Sequence, residues 1–449
     1  MRKKYYYWEK TRRIELMPRD ELLELQWKKL RYMINYAYNN TILYHEKWDK
    51  AGIKPEDIKS KDDFQKKAPL ITKDDIREKM KQGDPYGGTL GVPPEKLHCI
   101  ASSSGTTGLP TLVGLTKEGW EIHRDEYARV TAMVGCKPGY KILLGGVRWH
   151  SGWAAGLYDE ACRLLGMTVI SSDGLGLHPF MINRNLYYAQ HLKPEVLWQF
   201  PSTFIRMEEE AKKSGLDPEK IFSCFKIMIL GGEPVLPNLR RKWETNYGAE
   251  IFEWGGYGSD LCCVFLECQE HHGKHVCEDL FFIEDLDPEN LEPVAPMERG
   301  RVVLSTLWNE ATPHIRFATE DVLTYDPEIC NCGRTHMRVW QLGRMTDIVN
   351  VKDKRILPWD VESILREIPE TETVEYMLVR YAKGPLAKLK VHIEYTPTMG
   401  EKEGVKRKIE REISDKLGIP VEIEFVSKEA IMEKQKLKAI RVLDTTDQP

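Results

Sequence analysis

Between about residues 98 and 310, short apolar runs alternate with stretches whose apolar residues recur at helical spacing. This alternation is typical of βαβ units, in which helices connect parallel strands and cover the sheet. The sequence therefore predicts an α/β body with mainly parallel strands. The predicted strands begin at Lys141, Met167, Val196 and Ile227, and the predicted helices include 153–165 and 203–214.

Other stretches complete the outline of the fold. An amphipathic helix is expected over 18–40, Thr72 has the features of a helix cap, and 301–307 resembles a strand of an antiparallel portion. Past residue 344 the pattern changes to that of a small α+β domain of roughly 100 residues, a size that can fold alone. Its predicted strands are 374–380, 388–395 and 421–426, and its predicted helix is 403–417. We therefore expect two domains, 1–343 and 344–449.

Composition excludes several classes of protein. Hydrophobic residues make up 41% of the 449 residues, charged residues make up 30%, and the net charge is -4. This balance favours a soluble enzyme and argues against a nucleic-acid partner. No apolar run is long enough to span a bilayer, so no membrane partner is expected and the simplest location is the cytoplasm. Ten cysteines in a chain of this length do not form a disulfide scaffold.

The most informative motif is the glycine- and hydroxyl-rich stretch from Ser102 to Thr111. Gly105 and Gly108 allow the backbone to approach a ligand closely, and the free N–H groups suit a polyphosphate. The Gly-Lys-Ser/Thr ending of the common nucleotide-binding loop is absent, so that family does not apply. A plain surface linker is the alternative.

This loop resembles the phosphate-binding loop of the adenylate-forming acyl-CoA synthetases, and several later motifs follow in the same order. More narrowly, the chain resembles the phenylacetate–CoA ligase family, which also includes coenzyme F390 synthetases. The resemblance runs from near Leu22 to Asp444. It implies a large adenylate-forming N-terminal domain and a small mobile C-terminal domain. It also implies ATP, Mg²⁺ and coenzyme A as reactants, and a carboxylic acid as substrate.

The resemblance assigns a nucleotide site, residue by residue. Tyr257 would stack on adenine, Asp321 would bind the ribose hydroxyls, and Asp260 would help to hold Mg²⁺. Plain glycine turns are the alternative for the motifs around 232 and 257. The nucleotide-binding residues implied are Ser102, Ser103, Ser104, Gly105, Thr106, Thr107, Gly108, Gly232, Glu233, Pro234, Tyr257, Gly258, Ser259, Asp321 and Arg344.

The same resemblance selects Lys438 as the catalytic cation, whose ammonium would bridge the substrate carboxylate and the α-phosphate. The hinge between the domains would lie at 343–347. Four residues depart from the usual pattern: Leu109 replaces Lys, Asp260 replaces Glu, Thr346 replaces an acidic residue and Leu437 replaces Gly. Three of them, at Leu109, Asp260 and Leu437, leave open the alternative that the protein binds an adenylate without turnover. A nucleotidyltransferase like the F390 synthetases is the other alternative.

Cys268, His275, Cys330 and Cys332 form a set of three thiolates and one imidazole suited to a structural Zn²⁺. Four protein ligands leave no open position, so a catalytic zinc is disfavoured. The stretch around Cys330 resembles one that occurs in members of the same ligase family. Four unrelated buried residues are the alternative, and nearby cysteines and histidines compete for individual places. The competing residues are Cys262, Cys263, Cys277, His271 and His272.

The segment 145–156 lies where the family lines its acyl pocket. Trp149 and Trp153 would form a flat apolar wall for an aromatic ring. Arg148 and His150 are unexpected there, and one hypothesis pairs them with a second anionic or polar group on the substrate. A surface ion pair of Arg148 is the alternative. The chain is thus expected to be an ATP-dependent acid–CoA ligase, with a homodimer as one candidate assembly.

Overall fold

The computed structural model describes residues 4–102, 110–145, 154–172, 179–233, 235, 237–257, 263–371, 374–434 and 441–446. The chain forms two compact units. The large unit comprises 1–235, 240–319 and 324–340, and the small unit comprises 236–239, 320–323 and 341–449.

The described helices and strands are as follows. The helices are α1 Arg12–Glu15, α2 Arg19–Asn40, α3 Ile42–Lys50, α4 Lys61–Lys67, α5 Lys73–Lys81, α6 Lys117–Met133, α7 Ala154–Leu164, α8 Pro179–Leu192, α9 Pro201–Lys213, α10 Pro218–Phe222, α11 Pro237–Tyr247, α12 Pro358–Leu365, α13 Lys402–Leu417 and α14 Lys428–Met432. The strands are β1 Cys99–Ser102, β2 Leu112–Leu115, β3 Lys141–Leu144, β4 Thr168–Ser171, β5 Val196–Gln199, β6 Ile227–Gly231, β7 Glu250–Tyr257, β8 Cys263–Glu267, β9 Lys274–His275, β10 Phe281–Leu286, β11 Gly300–Thr306, β12 Phe317–Asp326, β13 Arg338–Arg344, β14 Val349–Val351, β15 Lys354–Ile356, β16 Tyr376–Arg380, β17 Leu389–Glu394, β18 Val421–Val426 and β19 Val442–Asp444. Short 3₁₀ helices span Pro55–Asp57, Pro94–Lys96, Met345–Asp347, Pro369–Thr371 and Pro397–Met399.

The main sheet is mixed, with eleven strands in the order β10-β11-β12-β13-β9-β8-β7-β6-β5-β3-β4. Strands β3 to β7 are parallel to one another, whereas β7 pairs antiparallel with β8, and β10 with β11. The parallel strands are nearly continuous apolar runs because helices cover both faces. The expected α/β class is confirmed, and the predicted strand 301–307 corresponds to the antiparallel β11.

Local signals in the sequence explain where helices begin and which face they bury. Thr72 starts α5 with a reciprocal capping box, in which the Asp75 amide donates to Thr72 Oγ1 (3.3 Å) and the Thr72 amide donates to Asp75 Oδ2 (2.8 Å). Helix α2 buries Leu30, Met33 and Ala37, which are three and four residues apart. Among the described residues, no helix combines the length and apolarity that crossing a membrane requires.

The small unit contains a four-stranded sheet in the order β18-β17-β16-β19. Helix α13 packs on it through Val405, Ile409 and Ile413, which repeat every four residues and are buried. Gly418 ends α13 in the left-handed conformation with φ of 63°. The α+β character expected for this part of the chain is therefore confirmed.

Candidate nucleotide and metal sites

The glycine-rich loop connects two antiparallel strands, β1 and β2, which pair from Cys99 opposite Leu115 to Ser102 opposite Leu112. Ser102 is half-buried at the end of β1. The Thr312 hydroxyl fixes β2 by accepting from the Gly114 amide and donating to the Gly114 carbonyl, both at 3.1 Å. The strands therefore hold both ends of the loop. The loop residues Ser103, Ser104, Gly105, Thr106, Thr107, Gly108 and Leu109 lie outside the described residues.

The turn after β6 requires glycine. Gly232 has φ of 74°, and a Cβ there would clash with the ring of Phe200. Next to it, the two carboxylate oxygens of Glu233 accept from the amide and the hydroxyl of Ser202, at 3.0 and 2.9 Å. Ser202 lies in the first turn of α9, so the Glu233 side chain caps a helix. The Glu233 carboxylate is therefore engaged within the protein, and Pro234 lies outside the described residues.

Strand β7 is the next parallel strand, and it carries the second glycine motif. Trp254 packs against Trp198 of β5, with ring centroids 5.2 Å apart. Gly256 has φ of 137°, and a Cβ there would clash with the carbonyl of Cys263 on β8. The backbone of Tyr257 pairs with Cys263, which places it at the end of β7. The Tyr257 side chain and the residues Gly258, Ser259 and Asp260 lie outside what the structure describes.

Asp321 and Arg344 come together in the small unit. Asp321 lies within β12 and Arg344 ends β13, and Arg344 Nε is 3.8 Å from Asp321 Oδ1. Arg344 is about half exposed, with a side-chain exposure of 49%. These two residues, 23 positions apart in sequence, were both assigned to the nucleotide, and the structure places them side by side.

Arg380 anchors the segment that follows Arg344, and sequence reasoning missed it. Its guanidinium donates to the carbonyls of Thr346 (2.7 Å) and Ile348 (2.9 Å) and to Asp444 Oδ2 (2.7 Å). Strand β19 also pairs with β16 from Leu378 to Arg380. Arg380 thus links the 3₁₀ turn at 345–347 to the strand that follows the predicted catalytic lysine. Lys438 and Leu437 themselves lie outside the described residues.

The predicted acyl-pocket residues Arg148, Trp149, His150 and Trp153 lie outside the described residues. They belong to the connection from β3 to α7. The parts that flank this connection are described, and they contain two buried amides that the sequence did not single out, Asn185 and Gln199. No local motif marks these two residues, because the topology of the sheet brings them to the same place.

The four predicted metal ligands converge. The ligand atoms of Cys268, His275, Cys330 and Cys332 all lie within 4.8 Å of one another, and the four residues are buried. Cys268 Sγ is 3.8 Å from Cys330 Sγ, and Cys332 Sγ is 3.5 Å from His275 Nε2. The described cysteines, these three included, are not in disulfides.

This arrangement fits Zn²⁺. With Zn–S bonds of about 2.3 Å, a tetrahedral site places two sulfurs about 3.8 Å apart, and a sulfur and a nitrogen slightly closer. The His275 Nδ1–H donates to the carbonyl of His336 (3.1 Å), which leaves Nε2 as the ligand atom. The Glu270 amide donates to Cys268 Sγ (3.5 Å). The ligand spacing and the support for the imidazole are thus compatible with a closed tetrahedral metal site.

The electrostatics of the cluster favour a thiolate. The pKa of Cys332 is lowered, chiefly by hydrogen bonds from the Cys268 and Cys330 thiols, while the pKa of Cys268 is raised, chiefly by its hydrogen bond with Cys330. One thiolate is therefore favoured among the three cysteines, whereas a bound metal would take all three as thiolates.

The competing histidines have other partners. Burial opposes protonation of His271, but hydrogen bonds to Glu250 and Glu267 raise its pKa to about 9. His272 Nδ1 accepts from Arg338 Nη1 (2.9 Å). Cys263 and Cys277 are buried and do not belong to the cluster, and Cys262 lies outside the described residues.

The N-terminal segment covers the cluster through contacts that the sequence did not reveal. Arg334 donates from Nη1 to Cys332 Sγ (3.6 Å), from Nη2 to the Tyr6 carbonyl and from Nε to Glu15. The Tyr7 hydroxyl donates to the Cys332 carbonyl, and the Arg334 guanidinium lies 4.4 Å from the Tyr7 ring centroid. The ligand loop and the first seventeen residues are therefore joined directly.

Comparison with known proteins agrees with the two-part organisation. The family model of the AMP-binding enzymes matches residues 23–308, and that of the AMP-binding enzyme C-terminal domain matches 354–446. A phenylacetate–coenzyme A ligase of Thermus thermophilus is 30% identical, and the match covers 96% of this chain and 98% of that protein. One of Escherichia coli K12 is 28% identical, with 96% of each chain covered.

Solved structures show the same fold. A 2-hydroxyisobutyryl-CoA ligase in its postadenylation state gives a TM-score of 0.83 at 23% identity, covering 96% of this chain and 91% of that one. An anthranilate CoA ligase in complex with anthranoyl-AMP gives 0.54 at 17% identity, covering 73% and 63%. With the family models and the full-length relatives, the chain belongs to the phenylacetate–CoA ligase family of AMP-binding enzymes, as an AMP-forming acid–CoA ligase.

Proposed function

We propose that this ligase acts on an aromatic or aryl-alkanoic acid, which it converts to an acyl-adenylate and then to a coenzyme A thioester. The observation that carries the proposal is the match to a phenylacetate–CoA ligase over 96% of the chain and 98% of that protein. The two family models add to it, because they match 23–308, with the nucleotide motifs up to Asp260, and 354–446, with the segment of Lys438.

The reaction has two steps and needs no protein nucleophile. A carboxylate oxygen attacks the α-phosphorus of ATP, and pyrophosphate leaves with the electrons of the broken P–O bond. The thiolate of coenzyme A then attacks the acyl carbonyl, and AMP leaves. Catalysis rests on positioning and on stabilising charge that develops at the α-phosphate. Lys438 and the amide groups of the loop 102–108 are the proposed donors to that charge.

The remaining nucleotide contacts are proposed from the geometry of β6, β12 and β13. The backbone at Gly232 is proposed to support the adenine, in the turn that Phe200 packs against. Asp321 accepts from the ribose hydroxyls, and Arg344 lies 3.8 Å from it, within reach of the same ligand. Tyr257 is proposed to stack on the base, and Asp260 to hold Mg²⁺, which neutralises phosphate charge when bound.

The acyl group is proposed to bind at the connection between β3 and α7. Trp149 and Trp153 supply a flat wall for an aromatic ring. Arg148 and His150 are proposed to pair with a second polar or anionic group, so the proposed substrates include acids that carry one. Substrate specificity is therefore the part of the proposal that a panel of acids tests.

We also propose the boundary between the domains, 1–343 and 344–449, as the point about which they reorient. Two observations support it. Gly343 has φ of 140°, a conformation that favours glycine. Arg380 holds the carbonyls of Thr346 and Ile348, so the residues from 346 onward belong mechanically to the small unit. The torsional change is then expected between Gly343 and Met345.

A structural Zn²⁺ is proposed for Cys268, His275, Cys330 and Cys332. Its role is to fasten the loop around Cys332 to β8 and β9, with no part in the reaction. Three reduced thiols suit a reducing compartment, so we place the enzyme in the cytoplasm. A homodimer is the assembly we propose to test by light scattering.

The test is a coenzyme A thioester assay over aromatic, aryl-alkanoic and dicarboxylic acids, with AMP and pyrophosphate measured in parallel. The proposal predicts acid-dependent AMP and acyl-CoA in equal amounts. AMP joined to a large acceptor in place of thioester indicates a nucleotidyltransferase. Nucleotide binding without pyrophosphate exchange for any acid indicates an adenylate-binding protein.

A further inference from the structure

The parallel part of the main sheet has one topological switch point. Strand β3 lies between β4 and β5, and the chain passes from β3 to β4 through α7 and from β4 to β5 through α8. Right-handed crossovers to opposite sides of β3 require α7 and α8 to lie on opposite faces of the sheet. Consistently, α7 packs with α6, and α8 packs with α9 and α10. In open α/β sheets, ligands bind at the carboxyl ends of the strands that flank such a point.

Residues from four parts of the chain meet at the carboxyl ends of β3, β4 and β5. Gly145 follows β3 and donates from its amide to the Trp198 carbonyl of β5 (3.0 Å). Ser172 follows β4, Gln199 ends β5 and Asn185 comes from α8. A Cβ added at Gly145 would clash with Gln199 Nε2 and lie 3.2 Å from Asn185 Nδ2. The two amide groups therefore meet beside the same glycine.

The two amides have fixed orientations and spare donors. Gln199 Oε1 accepts from the Phe200 amide (2.9 Å), and Asn185 Oδ1 accepts from the Ser172 hydroxyl. Within the part of the chain that the structure describes, the nitrogens Gln199 Nε2 and Asn185 Nδ2 have no hydrogen-bond partner, although both side chains are 0% exposed. Buried donors without acceptors are rare and unfavourable, so an acceptor is expected when the site is in use.

We propose that Gln199 and Asn185 form a subsite for an oxygen acceptor on the acyl part of the substrate. The inference rests on the proposed function, because it concerns the acid of that reaction. Both donors are uncharged and fully buried, which suits a hydroxyl or carbonyl oxygen, since a carboxylate there would lose its hydration without a cation in exchange. The substrate class is thus an acid whose acyl group carries a neutral oxygen substituent.

The test compares matched pairs of acids with and without that oxygen, for example phenylacetate and its ring-hydroxylated forms, together with a carboxylated form. The variants are Gln199→Met and Asn185→Leu, which keep most of the volume and remove the donor. Gln26→Met is the control. It removes a buried amide that donates to the carbonyls of Glu278 (3.2 Å) and Phe281 (3.0 Å), so it reports general loss of stability.

Wild-type protein is expected to prefer at least one hydroxylated acid, by kcat/KM, over its plain counterpart. In Gln199→Met or Asn185→Leu the ratio of the two kcat/KM values should fall at least about tenfold. The kcat/KM for the plain acid should change little in these variants. In Gln26→Met the ratio should stay as in wild type. Equal losses for both acids, an unchanged ratio, or a loss confined to the carboxylated form would overturn the subsite while leaving the ligase intact. No activation of any acid would instead remove the proposed function.

Discussion

Arg344 Nε lies 3.8 Å from Asp321 Oδ1, so two residues assigned to the nucleotide on separate motifs face each other in the small unit. An ion pair with one partner about half exposed contributes little to stability. The pair itself therefore adds little to folding, which makes Asp321 suitable for a test of its proposed role.

Asp321→Ala should impair nucleotide use with little effect on stability. Loss of two charge-assisted hydrogen bonds to ribose predicts a fall of about 100-fold or more in kcat/KM for ATP, measured by pyrophosphate exchange. The midpoint of thermal unfolding should change little. Glu328→Ala, at an exposed position after β12, is the matched control. An Asp321→Ala enzyme with unaltered dependence on ATP would remove Asp321 from the site.

Lys438→Ala should separate the two half-reactions. Removing a cation that stabilises charge at the α-phosphate predicts a loss of about 100- to 1,000-fold in adenylation. Thioester formation from a supplied acyl-adenylate should continue, because the phosphate has already been transferred. Lys434→Ala, which removes an exposed neighbouring lysine, should be nearly silent in both assays. Equal losses in the two half-reactions would contradict the assignment.

Zinc removal should loosen the N-terminal segment. Arg334 and Tyr7 connect that segment to Cys332, so losing the metal should free it. Trypsin should then cleave faster after Arg12 and Arg13, whose side chains are exposed but whose backbone is held in α1. We expect one zinc per chain by elemental analysis. A strong chelator, or Cys332→Ser, should raise the rate of cleavage there by about tenfold or more, since a metal that binds only the folded site stabilises it. Cys224→Ser, outside the cluster, should keep the zinc and the slow cleavage. Full zinc content in Cys332→Ser would count against the site.

Asp285 should make the protein less stable at alkaline pH. Burial raises the pKa of this carboxyl to about 8, and neither of its oxygens has a hydrogen-bond partner among the residues that the structure describes. The folded state therefore keeps a proton that the unfolded chain releases above about pH 4. The contribution of protonated Asp285 to the free energy of unfolding is complete below the pKa that this carboxyl has in the unfolded chain. It is lost as the pH rises to about 8, and the total loss is on the order of a few kcal/mol.

Asp285→Asn removes this ionisation. Its thermal midpoint should rise relative to that of wild type as pH increases from 6 to 9, whereas Glu292→Gln, an exposed neutralisation, should follow wild type. Parallel curves for wild type and Asp285→Asn would show that Asp285 does not titrate in this range.

Much of the fold was predictable because its signals are local. The apolar runs at 141–144 and 227–231, the cap at Thr72 and the four-residue repeat of Ile409 and Ile413 each identify an element without knowledge of its partners. The arrangement of strands was not predictable in the same way. The order of β4, β3 and β5 depends on crossovers that leave no mark in the sequence.

The candidate sites show the same difference between residues with a local sequence signal and residues without one. Cys330 and Cys332 are visible as a pair at short spacing, and their type and context led to Cys268 and His275, which the structure brings next to them. Arg334, Glu15 and Tyr7 were missed, because more than 300 residues separate the N-terminal segment from the loop it contacts. Gln199 was missed because a single amide at the end of a strand is unremarkable until its burial and its lack of an acceptor are known.

The central claim is that a carboxylate oxygen attacks the α-phosphorus of ATP. It is tested most directly with an acid labelled with oxygen-18 in its carboxylate, incubated with protein, MgATP and coenzyme A, followed by mass spectrometry of the products. The account predicts one labelled oxygen in AMP for each thioester formed, and none in pyrophosphate. Thioester formed with unlabelled AMP, or with label in a phosphate released from the γ-position, would contradict it.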